Sequence, residues 1–237
     1  MPFTSQNLKD RFFRAEDHPY RILENAVGER LKDGGTILDA GCGHSADVLK
    51  KFSGRAGRLI GVDLVDFDQH AISGNIELYN ADLEQIPVDD ACVDLLYSRS
   101  VFEHLERPLP VYQELNRVLK KGGQAIILTP NLGDYTAWVS KLVPNQLHPW
   151  IVAKTEGRNE RDTFPAFYRS NTARSIRKLA AQTQFEVVDF RYLGQYPCYF
   201  MFNPVLFLLA TGYEKMISRF DSLKYLRGWI MFTLRKI

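Results

Sequence analysis

Asp39-Ala40-Gly41-Cys42-Gly43 closes a short apolar run, Thr36-Ile37-Leu38, with two glycines around a sharp turn. Glycine takes positive φ without strain and lets a ligand approach where a Cβ would stand. Asp63 stands twenty residues after Gly43, at the end of a second apolar run, RLIGVD. A carboxylate in that place can accept hydrogen bonds from both hydroxyls of a ribose. Asp82 ends a third run, NIELYNAD, placed to receive the exocyclic amino group of a base. Ser98-Arg99-Ser100 ends a fourth, VDLLYS. Together these residues describe a nucleoside site. The spacing Gly41-x-Gly43-x-x-Ala46 followed by Asp63 also fits the dinucleotide fingerprint, so a nicotinamide-dependent oxidoreductase is a real competitor. Asp39 weighs against it, because a carboxylate beside the loop suits a cationic ligand end and repels a pyrophosphate. No tyrosine is followed four residues later by lysine, so the short-chain dehydrogenase pair is missing.

The elements that must hold these residues alternate. Asp17-His18-Pro19 opens a helix over RILENAVGERLK, and TILDAGCG reads as a buried strand entering a turn. A short helix over about 46–52, the strands RLIGVD, NIELYNAD and VDLLYS, the amphipathic helix LPVYQELNRVLKK stopped by Gly122-Gly123, and the strand QAIILTP follow. Alternation over residues 36–130 predicts parallel strands with helical crossovers: an α/β, doubly wound, mostly parallel sheet. In such sheets ligands sit at the carboxyl ends of the strands, where the residues named above fall. Residues 131–170 break the rhythm with Pro, His, Trp and charge, which predicts a functional insertion. Asn171-Thr172 then caps a helix, FEVVDFRYL forms a strand, Asn203-Pro204 opens another helix and RGWIMFTL forms the last strand. The expectation is one domain over 1–237, with a cofactor-binding core over about 19–131, an insertion over about 132–170 and C-terminal helices and strands over 171–237.

LDAGCGHSADVL, IGVDL, NADLEQIPVDDACVDLLYSRSVFEHL and ELNRVLKKGGQAIILTPN, in this order, resemble the class I S-adenosylmethionine-dependent methyltransferases. The resemblance is to the small-molecule subgroup called methyltransferase domain 11, strongly over 19–131 and more weakly through YRSNTARSIRKLAAQTQFEVV. It implies a Rossmann-like, seven-stranded sheet with an antiparallel last strand, and S-adenosyl-L-methionine as cofactor. It implies that Asp39, Gly41 and Gly43 line the methionine and ribose, and that Asp63 holds the ribose diol with Leu64 beside the adenine. Asp82 would bind the adenine amino group, with Leu83 adjacent, and Ser98 would follow strand four beside the cofactor. The third glycine of the family motif is Ser45 here, a residue able to cap the next helix.

Methyl transfer from a sulfonium needs positioning and a dry pocket, and a general base only when the acceptor must lose a proton. His104, in VFEHLERP, is the first candidate base, set against a packing role for the Glu103-His104-Leu105 turn. His148, in NQLHPW, is the second, set against a surface loop histidine. Tyr168 and Arg169 either close over the acceptor or brace the next helix. Trp138 and Trp150 either wall an apolar pocket or pack. Cys42 and Cys92 read as small buried residues.

The 237-residue chain has a net charge of +2, which gives no global reason to expect nucleic acid as a partner. Three separated cysteines offer no metal spacing and favour a reducing, cytoplasmic setting. The N-terminal segment lacks a signal-peptide core, so no export is expected. Tyr192–Tyr213 carries no charge but is interrupted by Pro197, Asn203, Pro204 and Gly212, which argues against a spanning helix. From Tyr213 to Ile237, six basic residues face two acidic ones, giving +4. Val205, Leu206, Leu209, Tyr213, Met216, Ile217 and Phe220 recur at helical spacing as a candidate inner face. That stripe either packs on the sheet or makes peripheral contact with an anionic membrane or a lipophilic acceptor. The expected function is methyl transfer to a small-molecule acceptor on oxygen or carbon. A nicotinamide-dependent oxidoreductase and a non-catalytic adenosyl-binding protein are the alternatives.

Overall fold

The structure is a computed structural model that describes residues 3–68, 75–135 and 164–237. Its elements run α1 (Ser5–Phe12), α2 (Pro19–Arg30), β1 (Thr36–Ala40), α3 (Asp47–Lys50), β2 (Arg58–Asp63), β3 (Ile76–Asn80) and β4 (Val93–Arg99). They continue with α4 (Pro108–Val118), β5 (Leu119–Pro130), α5 (Ala173–Gln182), β6 (Phe185–Leu193), α6 (Pro204–Arg219) and β7 (Trp229–Lys236).

The seven strands form one sheet in the order β3-β2-β1-β4-β5-β7-β6. β1 pairs in parallel with β2 and β4, β2 with β3, and β4 with β5. Strand order therefore reverses between β1 and β4, which places the switch point beside the Asp39 turn. Lys236, at the end of β7, donates to the carbonyl of Leu119 at the start of β5. Ile237 N–H reaches Gln184 O, just before β6. β7 is thus antiparallel to both neighbours, as the sequence resemblance implied. The inner strands are buried on both faces, with Ile37, Leu38, Ile60, Val62, Leu96, Ile126 and Ile127 fully covered. That burial is why these runs read as continuous apolar stretches.

The cap signals hold where side chains make the bond. Thr172 and Ser175 form a reciprocal capping box on α5. Asn203 Oδ1 accepts from Val205 and Leu206 N–H at the start of α6. Three local expectations change. α4 ends at Val118, and Leu119–Gly123 belong to β5, whose register slips there with Gly122 at φ +75°. The glycines shape a bulge and do not stop a helix. Ser45 does not cap α3; its hydroxyl donates to Asp47 Oδ2, and Ala46 occupies the cap in the left-handed region. α1, capped by Thr4, was not foreseen, because no apolar periodicity marks it.

The chain divides into two compact units. The first, Leu23–Thr129 with Phe167–Arg191 and Met231–Ile237, carries the sheet. The second, Met1–Ile22 with Pro130–Ala166 and Tyr192–Ile230, carries α1 and α6. Within this second unit α6 packs on α1: Phe207 meets Phe13 edge-on at 6.4 Å, and Lys215 Nζ donates to Phe12 O at 2.6 Å. α6 buries Phe207, Thr211, Glu214 and Ile217. Val205, Leu206, Leu209, Met216 and Phe220 face solvent instead. The inner face predicted from the sequence is therefore largely the outer one. Apolar residues lie on both sides of this helix, and the buried side includes a threonine and a glutamate, so counting hydrophobics selects the wrong face.

Candidate cofactor site

β1 ends by turning its backbone at Gly41, with φ +93°. A Cβ there would lie 2.1 Å from Val101 Cγ2, so glycine is required for both conformation and space. Gly43 also has positive φ, +70°, but a Cβ on it would meet nothing within 4 Å. The loop is packed at Gly41 and open at Gly43, which leaves room for a ligand against the second glycine.

Asp63, at the end of β2, holds this loop. Its Oδ2 accepts from Gly43 N–H at 2.7 Å and its Oδ1 from Val65 N–H at 3.2 Å. Each carboxylate oxygen retains a second lone pair. His44 Nδ1 lies 2.6 Å from Asp66 O and ties the loop to the segment after β2.

Asp39 is buried, and its Oδ2 accepts a 2.7 Å hydrogen bond from Tyr97 Oη. Burial raises its pKa to about 7; the Tyr97 bond and nearby Arg99 pull it down, while Asp63 pushes it up. The group is poised between acid and anion, and a cation placed against it would hold it ionised. Tyr97 was not singled out from sequence. The signal was available in strand register, since Asp39 and Tyr97 are partners across β1 and β4. Cys42 lies against Gly61, where a Cβ would approach its Sγ to 2.8 Å. Burial and the neighbouring carboxylates push the Cys42 thiol far above its usual range, so it is a packing residue. Cys92 is half-buried.

Ser98 is buried and donates to Ala40 O at 2.6 Å, stitching β4 to the β1 terminus. Asp82 is exposed two residues beyond β3, and its Oδ1 accepts from Glu84 N–H at 2.8 Å in an Asx turn. Leu64 is exposed and Leu83 buried. Asp39, Gly41, Gly43, Asp63 and Ser98 thus come together at the carboxyl ends of β1, β2 and β4, with Asp82 after the neighbouring β3.

His104 ends a one-turn 3-10 helix, Phe102–His104, with Nε2 3.8 Å from Glu103 Oε1. Glu103 is buried and anchors more than that turn. Its Oε2 accepts from Thr129 Oγ1, and Asn171 Nδ2 donates to the same Thr129 oxygen. Its backbone carbonyl accepts from both Phe167 and Tyr168 N–H. Arg169 donates to Glu106 O at 2.7 Å. The segment before α5 is thereby tied to the one after β4, and Tyr168 and Arg169 brace it. His148, Trp138 and Trp150 lie outside the described residues.

This donor set fits an adenosyl cofactor on its own chemistry: a buried carboxyl that gains from a cation, an open glycine and a half-exposed carboxylate with spare lone pairs. Among the described residues no His, Cys, Asp and Glu cluster could hold a metal ion.

Comparison with known proteins agrees. Residues 38–127 match the family described as methyltransferase domain. A dimethylglycine N-methyltransferase of Parasynechococcus marenigrum is 28% identical over 117 residues, 46% of this chain and 42% of that protein. A tRNA U34 carboxymethyltransferase of Marinobacter nauticus is 32% identical over 113 residues, 44% of this chain and 34% of that protein. The chain spans less than half the length of these relatives. A geranyl diphosphate C-methyltransferase from Streptomyces coelicolor, solved with S-adenosyl-L-homocysteine, superposes with a TM-score of 0.61 at 16% identity, covering 92% of this chain and 79% of that one. The near-zero net charge therefore does not decide against a nucleic-acid acceptor, since one relative's name specifies tRNA. Residues 38–127 match the methyltransferase domain family, and the sheet that carries them has the fold of the solved methyltransferases.

Proposed function

We propose that this chain transfers a methyl group from S-adenosylmethionine to a small-molecule acceptor, on oxygen or carbon, with a lipophilic or lipid-linked body. The observation that carries this reading is Asp39, buried and bonded to Tyr97, beside a glycine loop that Asp63 holds from the next strand. A poised, buried carboxyl favours a cationic ligand end over a pyrophosphate. That preference separates an adenosyl cofactor from a nicotinamide dinucleotide. The cofactor supplies a methyl group already activated on sulfur. In this reading Asp39, Gly41 and Gly43 line the methionine and ribose. Asp63 accepts from the ribose diol, and Leu64 covers the adenine. Asp82 accepts from the adenine amino group, with Leu83 and Ser98 supporting the floor. His104 and His148 are the candidate bases for an acceptor that must lose a proton. The dimethylglycine and geranyl diphosphate enzymes among the similar proteins support a small acceptor, the second a lipophilic one.

Asp63→Ala removes the ribose acceptors and frees the Gly43 N–H. Cofactor affinity is expected to fall by about 1–3 kcal/mol, the scale of charge-assisted hydrogen bonds. Titration calorimetry on a variant with a normal melting curve checks it, and unchanged affinity removes Asp63 from the ribose.

Labelled methyl transfer from S-adenosylmethionine into cell extract, fractionated into small molecules, lipids and RNA, tests the acceptor. Label in the small-molecule or lipid fraction supports this reading. Label confined to RNA overturns the small-molecule assignment in favour of a nucleic-acid acceptor.

A further inference from the structure

α6 presents to solvent a face that is apolar along its whole length. Val205, Leu209, Met216 and Phe220 recur at spacings of four, seven and four residues, one stripe of a 3.6-residue helix. They are 56%, 68%, 46% and 53% exposed. Phe202, just before the helix, and Tyr225, in the 3-10 turn after it, are exposed as well. Single exposed apolar residues need no explanation, but a contiguous ridge of this kind marks an interaction site.

With the neutral Lys224–Asp221 pair set aside, the exposed charge beside the ridge is basic. Lys215 and Arg219 are exposed on α6, Lys215 with its ammonium on the Phe12 carbonyl and Arg219 closer to the ridge. The acidic residues nearby do not offset them at the ridge. Glu214 is buried on the opposite side of α6, where burial and Asp134 raise its pKa to about 8 and keep it largely protonated at neutral pH. Asp221 is paired with Lys224 at 2.8 Å.

We propose that this face of α6 lies on an anionic lipid surface, with the ridge in the acyl boundary and the basic flank at the headgroups. The shape favours lipid: a helix ridge whose residues Val205, Leu209, Met216 and Phe220 carry no polar group gives a folded partner little to register on, whereas a fluid surface conforms to it. The charge disfavours a second copy of this chain, because a two-fold contact would bring the Lys215 and Arg219 flanks of both copies together. The helix lies along the surface and does not span: among the described residues, no helix is long and apolar enough to cross a membrane. The inference is independent of the acceptor's identity.

Co-sedimentation of the full chain with vesicles tests it. Phosphatidylcholine vesicles containing phosphatidylglycerol are expected to bind the protein at low salt, and pure phosphatidylcholine vesicles to bind far less. Binding should fall several-fold as salt rises to about 0.5 M, where exposed charges are screened within a few ångströms. Arg219→Ser should weaken it about fivefold, the value of one basic residue near the surface. Leu209→Asp with Met216→Asp should weaken it at least about tenfold, by removing the inserted apolar area. Both residues are exposed, so the melting temperature should hold; if it does not, Arg219→Ser and the salt series carry the test. Absence of binding to anionic vesicles at low salt overturns the proposal. So does a concentration-dependent dimer that Leu209→Asp disperses, because the ridge is then occupied by a second copy.

Discussion

Replacing Gly41 with alanine is expected to destabilise the sheet-bearing unit by about 2–5 kcal/mol and to abolish cofactor binding. Two costs add. An alanine held at φ +93° sits in backbone space that L side chains avoid, a cost of roughly 1–2 kcal/mol. Its methyl would also overlap Val101 Cγ2 at 2.1 Å. Val101 is β-branched and stiff at χ1, so it cannot swing aside cheaply, and overpacking of this kind costs about 1–3 kcal/mol. The double variant Gly41→Ala with Val101→Ala separates the two. It should recover the overlap cost and leave the conformational one, giving a coupling of about 1–3 kcal/mol in a double-mutant cycle. Urea unfolding of the four proteins measures this. Additive effects would mean that Val101 does not pack on the turn. Gly43→Ala is the contrast: with open space around it, only the conformational cost should appear in stability.

The second large effect is pH-dependent. The Glu214 carboxyl rises from 4.5 to about 8, first because it is buried and second because Asp134 faces it; the Gln195 backbone N–H pulls the other way. Tyr135 and Tyr213 meet edge-on beside it, and both phenols are pushed up, chiefly by burial and with Glu214 among the causes. A raised carboxyl pKa means that the folded chain keeps a proton the unfolded chain has released. That contribution to stability is complete below pH 4.5 and disappears as pH rises through 8. The two values differ by an amount worth about 3–5 kcal/mol. Glu214→Gln keeps the shape and removes the titration. The variant should therefore gain about 3–5 kcal/mol on the natural protein between pH 5 and pH 9. Parallel stability curves would show that the carboxyl is not held neutral in the fold.

The residues that punctuate the chain were legible without the structure. Gly41 and Gly43 announce a turn that only glycine tolerates. Thr172 and Asn203 announce helix starts, because a side-chain oxygen there satisfies an N–H that the first turn leaves unpaired. Alternation of strand and helix gave the parallel sheet, and its carboxyl edge gave the place of Asp39, Asp63 and Asp82. What stayed hidden depends on partners distant in sequence. Tyr97 is ordinary within its strand and becomes informative only when β4 is set in register beside β1. Glu103 reads as the neighbour of His104, yet it joins Thr129 and Asn171 from β5 and the start of α5. The orientation of α6 was misread because its partner is α1, which no periodicity marked. Glu214 could not be recognised as buried while that face was assigned to solvent.

Titration calorimetry with S-adenosylmethionine, S-adenosylhomocysteine and NAD, repeated from pH 6 to pH 8, tests the site most directly. Both adenosyl compounds are expected to bind, and NAD is not. S-adenosylmethionine should bind more tightly as pH rises towards 7, because Asp39 is then increasingly the carboxylate that a cation requires. Binding of NAD without binding of S-adenosylmethionine would assign the site to a dinucleotide instead.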